Sequence, residues 1–144
     1  MNNCFTWLEE YKIGNATIDQ QHEYLFDLAN QIVDPDNDQQ KTYHNVLALY
    51  HYVREHFKDE ELLMQQCRYS GYAEHVKEHE LLTRRLDEIS SGIIGGETGP
   101  NDVMVFMRNW LLDHILGKDI LLGEFLRRQN EAGGQGQQTM TLVA

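Results

Sequence analysis

The sequence predicts an all-α protein: an antiparallel up-down four-helix bundle preceded by an N-terminal arm. Three observations lead there. Apolar residues recur at alternating steps of three and four along most of the chain, and no stretch alternates with period two for long enough to make a sheet. The periodic stretches are separated by short breaks rich in Gly, Pro and Asp, the kind of connection that joins antiparallel neighbours. A length of 144 residues with 41% hydrophobic content suits one domain with a real core, expected over residues 1–130.

The arm, residues 1 to about 16, carries Phe5, Trp7, Tyr11 and Ile13 and is broken at Gly14, which suits an irregular segment packed over the bundle through its aromatics. Asp19 is the expected cap of a first helix whose inward positions read Ile18, His22, Leu25, Ala29 and Ile32 and which stops before Pro35. A long second helix follows with Val46, Leu49, Val53, His56, Glu60, Leu63 and Cys67 on one stripe, interrupted by "YSGY" at 69–72. The third helix aligns Tyr72, His75, His79, Leu82, Leu86, Ile89 and Ile93, and "GGETGP" at 95–100 closes it. Asn101 starts the fourth, with Val103, Met107, Trp110 and His114 inward. The end, "AGGQGQQTMTLVA", has no periodicity, so residues 131–144 read as a disordered tail or linker stub.

Charge and composition exclude several functions. A formal net charge of −11 repels phosphates, which argues against nucleic acid or an anionic membrane surface as partner. No apolar run approaches the roughly 20 residues that cross a bilayer, and the opening "MNNCFTWLEEYK" has neither the basic nor the apolar region of a secretory signal. A cytoplasmic protein is expected. Cys4 and Cys67 are far apart and lack CxxC spacing, so they read as free thiols and not as a disulfide or a thiolate zinc site.

Seven histidines are the oddity of this chain. One histidine on an apolar stripe is usually a hydrogen-bonded core residue, so the set must be judged together. His44 and His51 each precede an inward valine by two positions, about 200° away around the helix, and face solvent. His22, His56, His75, His79 and His114 fall on inward stripes of all four helices, accompanied by the inward acids Glu60 and Asp119. Burying uncompensated carboxylates costs several kcal/mol, in the order-of-magnitude sense. His75 and His79 in "HVKEH" stand one turn apart on one face, the spacing of a helical metal chelate. Metal binding turns all these unfavourable groups into ligands at once.

Seven ligands are too many for one ion and suit two. If both acids bridge two six-coordinate ions and an oxide or hydroxide bridges as well, a single coordination position stays open for one small ligand. Zinc favours closed tetrahedra and magnesium or calcium favour oxygen donors, whereas imidazole-rich, carboxylate-bridged pairs suit iron, with manganese second. Di-iron oxygenase and ferritin-like bundles use Glu-x-x-His motifs, and none occurs in this sequence. The nitrogen-rich set leans toward reversible binding.

The segment "HILGKD" adds a local puzzle, because His114 and Asp119 are five apart and a regular helix would turn Lys118 inward instead. One extra residue in the turn, a π-bulge, brings Asp119 into the core, and Gly117 eases the distortion. A bulge or widened turn is expected between His114 and Asp119.

Read in order, His22 in "IDQQHEYL", then "HFKDE", "HVKEH" and "HILGKD", these residues resemble the hemerythrins, specifically the single-domain bacterial bacteriohemerythrins, over roughly residues 5–126. The arm "FTWLEEYKIGNATID" and the segment "WLLDHI" are similar to the family's as well. The resemblance implies a non-haem di-iron centre with a bridging oxide or hydroxide. One iron would be completed by His75, His79 and His114, and the second, held by His22 and His56, would keep the open position. Glu60 and Asp119 would bridge. It also implies an apolar pocket over the open position, lined by Leu25, Trp110 and Ile115; Tyr69 and Tyr72, near the junction of the second and third helices, are expected to serve packing only. The implied function is reversible dioxygen binding for storage, delivery or scavenging, with no catalytic residue. A sensor reporting oxygen, nitric oxide or redox state to a protein partner would use the same site, and the lack of a second domain in the sequence favours the carrier. A peroxidase or ferroxidase would need a reductant path or iron entry route that the sequence does not reveal.

Overall fold

The computed structural model describes residues 5–133. The expected free thiol at Cys4, and the part of the expected tail beyond Gly133, lie outside the described residues. Four helical rods form the bundle: α1 (Ala16–Ile32), α2 (Gln39–Gln66), α3 (Tyr72–Ile94), and a fourth rod made of α4 (Pro100–Asn109), a π-helical segment (Trp110–Asp119) and α5 (Ile120–Gly133). Helix α1 packs on α2, α2 on α3, α3 on α4 and α4 back on α1, which closes the ring. No described helix is long and apolar enough to cross a membrane.

The start of α1 differs from expectation. Asn15, not Asp19, caps it, its side-chain oxygen accepting from Ile18 N at 3.0 Å. Asp19 already lies in the first turn and holds the arm instead: its carboxylate accepts from Ile13 N at 2.7 Å and Gly14 N at 3.2 Å. The reason is positional, since Gly14 at φ 97° turns the chain one residue before the cap and leaves Asp19 facing the returning backbone. Asn30 fixes the other end of the arm, accepting from Phe5 N at 2.9 Å and donating to Phe5 O at 2.7 Å. The arm crosses α5 at Gly123, where a Cβ would stand 3.0 Å from Ile13 Cα, so only glycine allows this approach without displacement.

Helix α2 starts at its cap Asp38, which accepts from Lys41 N at 2.7 Å. It ends in a Schellman-type turn, with Tyr69 N donating to Met64 O at 2.9 Å and Arg68 in the left-handed region at φ 56°. At the start of α4, one residue before Asn101, Asp102 reaches back to accept from Gly99 N at 3.0 Å.

Two apolar clusters fill the bundle. The larger includes Phe5, Leu25, Ala29, Leu49, Val53, Phe57, Leu86, Met107, Trp110 and Ile115. The smaller joins Ile13, Ile18, Leu63, Met64, Cys67, Leu122 and Leu126. Along every rod the polar inward residues fall between the two: His22 between Ile18 and Leu25, Glu60 between Phe57 and Leu63, Asp119 between Ile115 and Leu122. A layer of ionisable groups thus crosses the core with hydrocarbon above and below it. Cys67 is a buried free thiol, and burial pushes its ionisation upward.

Candidate metal centre

The seven inward residues of the sequence reading converge in this layer. His22, His56, Glu60 and Asp119 are fully buried, and His75, His79 and His114 are 3%, 2% and 1% exposed. Each helix supplies them by its own period: four-residue steps carry His56 to Glu60 on α2 and His75 to His79 on α3. On the fourth rod the five-residue step from His114 to Asp119 is spanned by π-helix, which returns a side chain to the same face after about one residue more than an α-turn. The distortion is longer than one bulge, ten residues from Trp110 to Asp119. Gly117 is not sterically required there, because an added Cβ would meet nothing within 4 Å.

The ligand atoms form two overlapping groups, Glu60 with His75, His79 and His114, and Glu60 with His22, His56 and Asp119, each with its atoms within 4.8 Å of one another. Both carboxylates divide their oxygens between the groups. Glu60 Oε1 lies 2.9 Å from His75 Nε2 and 2.8 Å from His79 Nε2, while Oε2 lies 3.6 Å from both His22 Nε2 and His56 Nε2. Asp119 Oδ1 lies 3.0 Å from His75 Nε2 and 3.2 Å from His114 Nε2, while Oδ2 lies 3.0 Å from His22 Nε2. This is the disposition of carboxylates that bridge two cations.

Several of these close approaches lack hydrogen-bond geometry. His22 Nδ1 and Nε2, His56 Nε2, Glu60 Oε2 and both Asp119 oxygens are buried without a hydrogen-bond partner. Buried polar atoms aimed at one another without hydrogen bonds are costly, and a cation accepting their lone pairs removes that cost. The residues fit a pair of metal ions.

Partners on the outer side of three imidazoles fix which nitrogen faces inward. Glu61 Oε2 is 2.8 Å from His79 Nδ1 and Glu78 Oε1 is 3.1 Å from His114 Nδ1. A carboxylate only accepts, so both Nδ1 atoms carry a hydrogen and the inward Nε2 atoms are the ones left to ligate. Gln21 donates from Nε2 to Asp59 at 2.8 Å, leaving its Oε1 to accept from His56 Nδ1 at 2.7 Å. None of Gln21, Glu61 and Glu78 stood out in the sequence; their adjacency to His22, Glu60 and His79 was the available signal.

Charge within the layer is self-balancing. Burial opposes protonation of His22 and His75, yet the nearby Asp119 and Glu60 outweigh it and push both up to about 9. His114 is raised for the same reason. His56 has weaker compensation, and burial drives it down to about 3. Burial would raise Glu60 and Asp119, but the surrounding imidazoles hold both well below the usual carboxylate range. Cations held by these residues would take the place of the imidazole protons.

The expected pocket residues Leu25, Trp110 and Ile115 are at most 1% exposed and belong to the apolar cluster beside the site. Phe57, which sequence reasoning passed over, lies flat on His79 at 3.8 Å between ring centroids and edge-on to His114 at 5.6 Å. Together with His79 itself it lines a cleft of about 460 Å³ between α2 and α3 and covers one face of that imidazole. His44 and His51 are exposed, as their phase requires. Tyr69 packs edge-on to Phe125 at 5.1 Å and to His75 at 6.3 Å.

Known proteins share both sequence and fold with this chain. A bacteriohemerythrin of Methylococcus capsulatus is 33% identical over 125 residues, covering 84% of this chain and 95% of that protein. Hemerythrin subunit 2 of Golfingia vulgaris is 30% identical over 111 residues, covering 77% and 83%. The crystal structure of a wild-type hemerythrin superposes with a TM-score of 0.77 at 30% identity, covering 84% of this chain and 96% of that one. Residues 13–126 match the family model of the hemerythrin HHE cation binding domain, and the chain belongs to the hemerythrin family.

Proposed function

We propose that this protein binds dioxygen reversibly at a carboxylate-bridged pair of non-haem iron ions, and so stores, delivers or scavenges it. The observation that carries this reading is the division of Glu60 and Asp119 between two groups of buried imidazoles. His75, His79 and His114 hold one ion, His22 and His56 hold the other, and the two carboxylates, with an oxide or hydroxide, join them. When bound, the iron pair supplies an electron pair to dioxygen and recovers it on release.

The chain's own residues make such binding reversible by what they exclude. Leu25, Trp110 and Ile115 bring hydrocarbon and an indole ring against the ligand layer, Trp110 lying parallel to His114 at 6.3 Å, so water and protons are kept from the ligand. Bacteriohemerythrin and hemerythrin subunit names among the relatives support the same reading. The test is anaerobic loading with ferrous iron followed by cycles of oxygen and argon under visible spectroscopy. A charge-transfer spectrum that appears and disappears over repeated cycles is expected; a single irreversible oxidation would overturn the proposal.

A further inference from the structure

The outer partners of the imidazoles are unequal on the two sides of the layer. Glu61 and Glu78 both stand behind the three-histidine group, accepting from His79 Nδ1 at 2.8 Å and His114 Nδ1 at 3.1 Å. Behind the two-histidine group, His56 meets the neutral amide of Gln21 at 2.7 Å, and His22 Nδ1 has no partner. A carboxylate behind a ligating imidazole locks its tautomer, strengthens its lone pair and adds negative charge near the ion, whereas an amide does only the first of these well. Both carboxylates are 30% exposed and line separate clefts, Glu61 the one between α2 and α3 and Glu78 one of about 280 Å³ between α3 and the fourth rod. They are therefore placed at the outer wall of the site and do not ligate.

We propose that Glu61 and Glu78 are positioning residues which, through His79 and His114, make the two metal positions unequal. The three-histidine position binds its ion more tightly and favours the higher oxidation state more strongly than the position backed by Gln21. This rests on the division of ligands given above, though not on dioxygen binding.

The test titrates the chelator-treated full-length chain with cobalt(II) alone, read by the d–d absorption of each equivalent. Glu61→Ala and Glu78→Ala are each expected to weaken one of the two equivalents by about 10–100-fold and leave the other unchanged. Glu61→Gln and Glu78→Gln, which keep an acceptor but remove the charge, should recover part of that loss. Gln21→Glu should tighten the other equivalent. In the iron-loaded protein the Gln variants should raise the reduction potential, a change that a purely structural role would not produce. Equal cobalt affinities and unshifted potentials in all the Glu variants, whatever their melting temperatures, would overturn the proposal. If wild type binds two cobalt ions unequally but fails to release oxygen, the functional reading fails and this inference stands; the converse pattern separates them the other way.

Discussion

Removing the ring of Phe57 should convert a dry site into a wet one. Its side chain is 4% exposed, lies against His79 at 3.8 Å and packs within 5.6–6.2 Å of His56, His114 and Trp110. Phe57→Ala deletes that packing and enlarges the α2–α3 cleft, which His79 already lines, toward the ligand atoms. Large-to-small changes of this type cost about 3–5 kcal/mol, a sizeable share of the roughly 5–15 kcal/mol that holds a domain together. At about 3–5 °C per kcal/mol for a chain of this size, the melting temperature should fall by about 10–20 °C. Phe57→Leu keeps most of the apolar volume and should cost only about 1–1.5 kcal/mol. Circular dichroism measures the melting, and stopped-flow spectroscopy at 10 °C measures how long the oxygenated colour persists. The barrier role predicts faster decay in Phe57→Ala than in Phe57→Leu, and faster in both than in wild type. A lowered melting temperature with an unchanged decay rate would refute it, leaving Phe57 as packing alone.

Leu25→Ala should likewise shorten the life of the oxygenated protein, because Leu25 is fully buried one turn beyond His22; unchanged decay would remove it from the pocket. Gly117→Ala should raise the melting temperature by a few degrees, gaining up to about 1 kcal/mol of helix propensity in open space, with metal stoichiometry unchanged. A loss of stability would mean that the π-helical segment needs glycine after all. For the chelator-treated chain, stability should fall with rising pH. His22 and His75, raised to about 9 in the folded chain, contribute stability that is fully present below about 6.5 and lost as pH climbs through 9. Melting curves at pH 6.5 and 9 check this, and a flat profile would contradict the charge balance described for the layer.

The positions in the layer were legible because two constraints coincide at them. Polar residues on apolar stripes are rare, and His56 to Glu60 and His75 to His79 repeat at helical spacing, so phase alone separated five inward histidines from His44 and His51. The step from His114 to Asp119 implied a widened turn but not its length. Side-chain period reports where a residue must face, and the backbone can spread the extra residue over one turn or over Trp110–Asp119. Gln21, Glu61 and Glu78 were not legible for a related reason. Each lies beside an inward residue and meets an imidazole from a different helix, so its role depends on the distance between helices and not on spacing within one. The cap of α1 was misplaced because Asn15 and Asp19 are both good capping residues, and the choice was made by Gly14 turning the arm back over α1.

In the function proposed above, two ions held jointly by Glu60 and Asp119 take up and return one dioxygen. Iron analysis combined with an oxygen-electrode titration of the anaerobic ferrous protein tests it most directly. Two irons per chain, uptake of one dioxygen per iron pair, and recovery of that dioxygen when the solution is purged are expected. Uptake without recovery, or a single iron per chain, would contradict it.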